Sequence, residues 1–258
     1  MPSLHNKIAV VTGATAGIGR ACAEQLAAEG VHLIITGRRE DRLTAFAGEL
    51  QQAHPINVLP LVFDVRDYSQ VKRIFATLPS EWQAVEILIN NAGLGLGLEK
   101  IQQGDVNDWE VMIDTNIKGL LYVTQQVLPL MLARNAGHIV NLASIASYHV
   151  YPGGAVYCAT KFAVRALTQG IKLDVHGSDI RVSEIAPGMV ETEFSEVRFK
   201  GDVQRAAQVY AGMTPLTAND IADTVLFCLT RPRHVNILSI HVNPTDQSSP
   251  GLVHRRGV

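Results

Sequence analysis

A glycine-rich turn between a predicted strand and a predicted helix constrains the fold of this chain more than any other feature. Residues 8–12 form a short apolar run typical of a buried parallel strand, and residues 20–29 follow a helical pattern. Between them Gly13, Gly17 and Gly19 form a Gly-x-x-x-Gly-x-Gly motif. Glycines let backbone N–H groups approach a pyrophosphate, and a helix N-terminus favours its charge. Alone, these glycines also fit an ordinary turn, but the flanking elements favour a nucleotide-binding loop.

Strand-like and helix-like segments alternate along all 258 residues. The alternation predicts an α/β fold: a single doubly wound, Rossmann-type domain whose seven-stranded parallel sheet has helices on both faces. The predicted strands are 8–12, 31–36, 57–63, 86–89, 137–142, 179–185 and 234–242. We expect one domain over residues 1–258, with a mobile lid at about 189–215 and a short tail at 243–258.

Composition argues against several classes of function. The formal net charge is −2 and there is no long basic run, so no nucleic-acid partner is expected. No stretch is long and apolar enough to cross a membrane, and the start of the chain lacks the pattern of a signal peptide, so we expect a cytoplasmic protein without a membrane partner. Cys22, Cys158 and Cys228 are too widely spaced for a zinc site, and no metal is expected.

The end of the second predicted strand indicates which dinucleotide would bind. On such sheets an NAD site places Asp or Glu against the ribose 2′-hydroxyl, whereas arginine suits a 2′-phosphate. Here the chain has Arg38 and Arg39, and the acids that follow, Glu40 and Asp41, fit the first turn of the next helix. The pattern favours NADP over NAD, with two solvated surface arginines as the alternative.

Polar and small residues follow the next two strands. Asp64 ends the third and would accept a hydrogen bond from an adenine amino group or cap the next helix, for which Asp67 is the better candidate. Residues 90–93, Asn-Asn-Ala-Gly, would let the backbone pass beneath a ribose, or form a plain turn. Asn116 lies within a helix predicted over residues 105–133, where a buried Asn is costly unless its amide is used.

Tyr157 and Lys161 are four residues apart, which places both side chains on one face of a helix. At roughly 5 Å and an effective dielectric constant of about 20, an ammonium stabilises a phenolate by about 3 kcal/mol. The pair therefore predicts a Tyr157 pKa lowered by about two units, as a general acid–base near neutral pH requires. Most such pairs are a solvated helix face, so the pair needs the rest of the pattern to carry weight.

Taken together, these features resemble the short-chain dehydrogenase/reductase family, from residue 7 to about residue 242. The residues that carry the resemblance are Thr12 with the motif from Gly13 to Gly19, Asp64, the run from Asn90 to Gly93, Asn116, Ser144, Tyr157, Lys161, Pro187, Gly188 and Thr192. Their order and their placement at strand ends make a chance match negligible.

The resemblance implies a role for each catalytic residue. Tyr157 would donate a proton in reduction and accept one in oxidation, while Lys161 lowers its pKa and holds the nicotinamide ribose. Ser144 would polarise the substrate carbonyl, and Asn116 would hold a water in a proton relay. The implied cofactor residues are Gly13, Thr15, Ala16, Gly17, Ile18, Gly19, Arg38, Arg39, Asp64, Val65, Asn91, Ala92, Gly93, Tyr157, Lys161, Pro187, Gly188, Val190 and Thr192.

Within the family, the chain looks most like the NADP-dependent 3-hydroxy acid dehydrogenases, with a sulfoacetaldehyde reductase also similar. The first group oxidises serine, allo-threonine and small 3-hydroxy acids, and reduces malonic semialdehyde. Such substrates carry an anion, for which Arg198 in the lid is the candidate partner beside Ser144 and Tyr157; a solvated arginine is the alternative. The family also implies a homotetramer.

Two other functions remain open from the sequence. Ile145, Tyr148, His149 and Val150 are bulky for the surroundings of a very small substrate, which leaves open a reductase of another carbonyl compound, such as a larger ketone or an acyl group. A redox sensor that binds NADP without turnover is the non-enzymatic alternative, against which the intact Ser144, Tyr157 and Lys161 argue.

Overall fold

A seven-stranded parallel sheet forms the centre of the molecule, as the sequence predicts. The computed structural model describes residues 3–257, and the strand order is β3-β2-β1-β4-β5-β6-β7. The strands are β1 (Ile8–Val11), β2 (His32–Gly37), β3 (Val58–Val62), β4 (Val85–Asn90), β5 (Gly137–Leu142), β6 (Ile180–Pro187) and β7 (Ser239–Val242). The seventh strand begins five residues later than predicted, because the side chain of Asn236, rather than a backbone ladder, pairs with the backbone of Val182.

Helices cover both faces of the sheet. They are α1 (Gly17–Ala28), α2 (Glu40–Ala53), α3 (Tyr68–Ala76), α4 (Val106–Ile113), α5 (Leu120–Ala133), α6 (Ala155–Asp174), α7 (Phe194–Arg198), α8 (Val203–Gln208) and α9 (Ala218–Leu229). None of the helices described for residues 3–257 is long and apolar enough to span a membrane.

The alternation of side chains along each strand divides the interior into two cores. In β1, Ala9 and Val11 point to one face, where α1, α2 and α9 pack. Ile8 and Val10 point to the other face, where α3, α5 and α6 pack. Because the side chains of β1 are buried on both faces of the sheet, this strand reads as a continuous apolar run.

The chain reverses its winding direction between β1 and β4. It moves outward from β1 through β2 to β3, and then returns to pair β4 with the other side of β1 before continuing to β7. A crevice opens where strand order reverses, at the carboxyl ends of the strands. The glycine motif after β1 and residues 90–93 after β4 therefore face each other.

Three segments differ in detail from their predictions. The helix predicted over 105–133 is interrupted by a π-helical segment, Asp114–Gly119, between α4 and α5. The lid, for which the sequence analysis predicts no helix, contains the short helices α7 and α8. The tail forms an antiparallel pair, β8 (Gln247–Ser249) and β9 (Leu252–Val253). These are short features whose type and bounds the pattern of apolar residues does not specify.

A buried histidine on β5 is kept neutral by its surroundings. His138 is 3% exposed, and its Nε2 lies 2.8 Å from Ser183 Oγ. Because the Ser183 hydroxyl donates to the carbonyl of Ile237, Nε2 must carry the proton, which leaves Nδ1 without a hydrogen-bond partner among residues 3–257. Burial, with the charge of Arg181, lowers the pKa of His138 to about 3.

This histidine is expected to make the fold sensitive to acid. An unfolded histidine titrates near 6.5, so protonation favours the unfolded chain between that pH and about 3. The free energy of unfolding should fall by about 1.4 kcal/mol per pH unit below 6.5 from this residue, or about 2 kcal/mol at pH 5. Urea unfolding at pH 7.5 and pH 5 should show that His138→Asn removes this part of the loss. His176→Asn, which removes an exposed imidazole, is the control, and an equal change in both variants would contradict the prediction.

Candidate active site

The glycine motif forms a loop that only glycine fits at two positions. Gly13 and Gly17 have φ values of +66° and +53°, in the left-handed region. At Gly19 a side chain would meet the Asn91 amide and the carbonyl of Gly13. The N-cap residue of α1, Ala16, gives no side-chain cap, and the first turn holds no acid, so the N-terminal amides of α1 suit an external anion.

Asn91 joins this loop to the end of β4. Its side-chain amide donates to the carbonyls of Thr12, at 2.9 Å, and Gly13, at 3.2 Å. The Thr12 hydroxyl in turn accepts from the backbone N–H groups of Asn91 and Ala92, each at 3.0 Å. These hydrogen bonds fix the loop after β1 to the loop after β4, on opposite sides of the crevice. The amides and small residues of residues 90–93 are suited to such a close contact.

The two arginines after β2 have different partners. Arg38 is 60% exposed in its side chain, and its nearest acid is Asp64 at 3.8 Å. Arg39 donates to Thr15 Oγ1 at 2.9 Å and forms an ion pair with Glu193 at 3.0 Å. Both arginines line the same cavity. Two cations therefore lie at the end of β2, the position that suits a 2′-phosphate.

Asp64 lines the cavity but is also engaged by a neighbour. The Arg66 guanidinium donates to both of its carboxylate oxygens, with a shortest distance of 2.7 Å. Although partial burial raises the pKa of Asp64, the bonds and charge of Arg66 outweigh it and lower that pKa below its ordinary value. The helix cap is Asp67, which accepts from the N–H of Gln70 at 2.9 Å, so the preference for Asp67 is confirmed.

Tyr157 and Lys161 lie on α6 with their side chains directed to the same place. Lys161 is only 6% exposed, and its Nζ lies 5.9 Å from the centre of the Tyr157 ring. Nζ donates to the carbonyl of Leu142, at the end of β5, at 2.9 Å. The four-residue spacing therefore brings phenol and ammonium together at the carboxyl edge of the sheet, as predicted.

The predicted direction of the Tyr157 pKa shift is wrong for this structure. Burial raises the pKa of Tyr157 to about 12, and the positive charge that opposes this most strongly is that of Arg198 rather than Lys161. Burial also lowers the pKa of Lys161 to about 8, against the attraction of Glu184. The helical spacing predicts that Tyr157 and Lys161 lie close together. It does not predict how deeply the surrounding elements bury them, and burial disfavours the charged form of both side chains.

Ser144 follows β5 and lies beside the phenol. Its hydroxyl accepts from the N–H of Ala146 at 3.1 Å and lies 3.4 Å from the carbonyl of Pro187. Its hydroxyl also acts to lower the pKa of Tyr157 and so favours the phenolate. Both hydroxyls line the same cavity, where a carbonyl oxygen could accept from both.

Asn116 lies in the π-helical segment and holds the strand-end loop. Its Nδ2 donates to the carbonyl of Leu94 at 2.8 Å and to Thr160 Oγ1 at 3.0 Å, while its Oδ1 accepts from the N–H of Leu94 at 2.9 Å. Both polar atoms of the buried amide are hydrogen-bonded, which offsets the cost of placing Asn in a helix. Asn116 does not line the cavity itself; it lies behind Leu94, and Gly93 separates it from Lys161.

Arg198, on α7 of the lid, reaches the ring of Tyr157. Its guanidinium carbon lies 4.8 Å from the centre of the Tyr157 ring, and its Nη2 donates to the Tyr151 hydroxyl at 2.9 Å. Its Nε is buried without a hydrogen-bond partner among residues 3–257. A buried donor of this kind, on a cation that lines the cavity, favours a polar or anionic ligand.

One cavity of about 630 Å³ brings the predicted residues together. Of the predicted site residues, only Gly19 and Asn116 are outside its lining, and each contacts a residue that lines it. The glycine loop and the arginines after β2 form one end of the cavity. Ser144, Tyr157, Lys161 and Arg198 form the other.

Comparison with known proteins gives the family. The family model described as short chain dehydrogenase matches residues 7–202. The chain belongs to this family. The position of Tyr157, Lys161 and the glycine motif within the matched range agrees with the resemblance that these residues carry.

Several relatives of this short-chain dehydrogenase are similar over nearly their whole length. The NADP-dependent 3-hydroxy acid dehydrogenase YdfG of Salmonella typhi is 47% identical over 250 residues, which are 96% of this chain and 99% of the relative. Sulfoacetaldehyde reductase 2 of Chromohalobacter salexigens is 46% identical, over 93% of this chain and 95% of the relative. The closed form of a serine dehydrogenase complexed with NADP+ has a TM-score of 0.91 at 45% identity, covering 96% of this chain and 100% of that chain.

The short-chain dehydrogenase cavity also has walls that the sequence did not reveal. Tyr151 and Phe194 line it beside Arg198, and Tyr210 closes the lid by bonding Ser195 Oγ at 2.8 Å.

Gln247 and Arg255 reach the cavity from the tail. The side chain of Gln247 accepts from the N–H of Met189 at 2.8 Å, and Arg255 donates to the carbonyls of Val209 and Ala211, so the tail contacts both ends of the lid. Tyr210, Gln247 and Arg255 lie beyond residues 7–202, the range that the family model matches, so no family motif marks them.

Proposed function

We propose that this short-chain dehydrogenase transfers hydride between NADP(H) and a small 3-hydroxy acid or the matching semialdehyde. The proposal rests chiefly on the half-buried Arg198, whose guanidinium carbon lies 4.8 Å from the centre of the Tyr157 ring and whose buried Nε has no hydrogen-bond partner among residues 3–257. The names of the relatives support the same reaction: NADP-dependent 3-hydroxy acid dehydrogenase and serine dehydrogenase.

The residues that line the cavity fit NADP. The uncapped start of α1 and the loop at Gly13 and Gly17 would hold the pyrophosphate, and Arg38 and Arg39 the 2′-phosphate. Asp64 and Val65 would lie beside the adenine. Pro187, Gly188, Val190 and Thr192 would orient the carboxamide and so select one face of the ring. The cofactor would supply or accept the hydride.

Tyr157 would donate a proton to the carbonyl oxygen in reduction and withdraw it from the hydroxyl in oxidation. A pKa near 12 keeps the phenol protonated, as reduction requires. For oxidation, the positive charges of Arg198 and Lys161 and the bond from Ser144 would stabilise the phenolate as it forms. Ser144 would orient the oxygen by donating a second hydrogen bond.

Lys161 and Asn116 would complete a path for the proton. A side chain at Gly93 would lie 3.3 Å from Asn116 Oδ1 and 3.5 Å from Lys161 Nζ, so the missing side chain leaves both atoms facing one small space. Asn116 Oδ1 retains a second lone pair beyond the bond from Leu94. A water placed there would join Lys161 to Asn116, as the family pattern implies.

The lid would bind the anionic group of the substrate. Arg198 offers several N–H donors in a planar fork that matches carboxylate geometry, and Tyr151 holds that fork in place through its hydroxyl. Because Arg198 lies against the ring of Tyr157, an anion bound to it would lie a short distance from the reacting carbon. That separation suits a 3-hydroxy acid.

A sulfonate substrate is the second candidate. A guanidinium binds a sulfonate through the same donors as a carboxylate, and one relative at 46% identity is a sulfoacetaldehyde reductase.

We also propose a homotetramer. Phe162 and Leu173 on α6, and Phe227 on α9, expose 39%, 74% and 46% of their surfaces, which suits helices that pack against other subunits.

A cofactor-reduction screen tests this function. The purified protein is offered NADP+ or NAD+ with L-serine, allo-threonine, 3-hydroxypropionate, isethionate and uncharged alcohols of equal size. We expect NADP+ reduction with the carboxylates at a kcat/KM well above that of the uncharged alcohols. Higher activity with isethionate would favour the sulfonate. Higher activity with uncharged alcohols would contradict the anion site, and a preference for NAD+ would contradict the proposed cofactor.

A further inference from the structure

A carboxylate of the lid already occupies one of the proposed phosphate-binding arginines. Glu193 follows Thr192 and precedes α7, and its two oxygens each bind a different guanidinium on α2 or at its start. Oε2 lies 3.0 Å from Arg39 Nη1, and Oε1 lies 3.0 Å from Arg42 Nη1. Although partial burial raises the pKa of Glu193, the two arginines lower it below its ordinary value, so the group is an anion at neutral pH.

Arg39 already uses two of its five N–H donors. Its Nη1 binds Glu193 and its Nη2 binds Thr15 Oγ1 at 2.9 Å, so each terminal nitrogen has one donor engaged before any cofactor binds. A phosphate that formed two parallel hydrogen bonds with this guanidinium would share it with the Glu193 carboxylate. Arg38 is held more loosely, because its acid neighbour Asp64 is 3.8 Å away and already binds Arg66.

A 2′-phosphate carries about −1.5 to −2 charges at pH 7 and would compete with Glu193 for Arg39. Either the carboxylate releases the arginine or the phosphate binds beside a negative group, and both lower affinity for the phosphate. A cofactor with a 2′-hydroxyl carries no charge at that position. Its binding would therefore be nearly indifferent to Glu193.

We propose that Glu193 is a specificity-determining residue: an internal anion that weakens binding of the 2′-phosphate and so reduces the preference for NADP over NAD. The inference rests on the proposed cofactor site at Arg38 and Arg39. It adds that a residue of the lid, Glu193, affects the choice between NADP and NAD. The same residue links the adenosine end of the cavity to the start of α7. The three side chains are 42–57% exposed, so the competition is screened by water and salt.

The test compares Glu193→Gln with Glu191→Gln. Glu191 is exposed and two residues away, so its variant removes the same charge from the same segment without touching the arginines. Dissociation constants for NADP+ and NAD+ are measured by titration at low and high ionic strength. At low salt we expect Glu193→Gln to bind NADP+ about 3- to 10-fold more tightly, with NAD+ nearly unchanged, and the gain to shrink as salt increases.

Three changes in binding would overturn the inference, as would an unchanged Glu193→Gln variant. These are weaker NADP+ binding in Glu193→Gln, an equal change for NAD+, or the same gain in Glu191→Gln. If instead the unaltered protein binds NAD+ more tightly than NADP+, the proposed cofactor fails. Unaltered protein that prefers NADP+, together with an unchanged Glu193→Gln variant, rejects only the role of Glu193.

Discussion

Replacing Tyr157 with phenylalanine is expected to lower kcat by about 10²- to 10⁴-fold in both directions, while NADPH binding stays nearly unchanged. The substitution removes only the hydroxyl that exchanges the proton. The ring is retained, and with it the edge contact with Phe194 at 5.7 Å and the contact with Arg198. Turnover is measured with the preferred substrate from the screen, and binding by the change in NADPH fluorescence.

Tyr122→Phe is the matched control for this variant. Tyr122 lies on α5, packs against Tyr68 at 5.0 Å and does not line the cavity, so it loses the same atom in a place without catalytic neighbours. Turnover retained in Tyr157→Phe would remove Tyr157 from the proton step. A parallel loss of NADPH binding would show that the substitution disturbs the cavity rather than the chemistry.

Replacing Arg198 with alanine is expected to lower kcat/KM for carboxylate substrates by about 10- to 100-fold, and less for uncharged alcohols. A charge-assisted hydrogen bond contributes about 1.5–3 kcal/mol, which corresponds to that range. Loss of this positive charge also raises the pKa of Tyr157 and slows oxidation of every substrate. The informative quantity is therefore the ratio of kcat/KM between 3-hydroxypropionate and an uncharged alcohol of equal size, measured at one pH.

Arg205→Ala is the control within the same lid. Arg205 packs over the Phe199 ring at 4.3 Å, as Arg198 packs over aromatic rings, but it does not line the cavity. If the ratio falls equally in both variants, the effect comes from net charge or lid packing. If it does not fall in Arg198→Ala, Arg198 is not the partner of the substrate anion.

Sequence alone predicts the fold and most of the proposed site because both follow from local rules. A buried parallel strand is a short apolar run, and ligands gather where such strands end. Gly13, Asp64, Asn91, Ser144 and Gly188 each follow a strand, so a single topological rule places them at one edge. The spacing of Tyr157 and Lys161 adds the pair proposed to exchange the proton, by a helical rule that is equally local.

Local rules do not predict pKa values that depend on burial, or contacts between segments that are far apart in the sequence. The raised pKa of Tyr157 follows mainly from burial, and the cation that most opposes it, Arg198, comes from a lid 41 residues further along the chain. The pairing of Glu193 with Arg39 joins residues 154 positions apart. Gln247 and Arg255 reach the cavity only because the tail folds back. Nothing in the spacing or composition of these segments indicates such contacts.

The π-helical segment at Asp114–Gly119 makes the cleft sensitive to the number of residues as well as to their identity. A π turn holds one residue more than the α-helical turn it replaces. Each residue of an α-helix advances by about 100°, so a one-residue deletion here would rotate α5 relative to α4. Either Asn116 would turn from Leu94, or Val123 and Val127 would leave the core. Length variation among homologous chains is therefore expected to avoid this turn and to accumulate in surface loops.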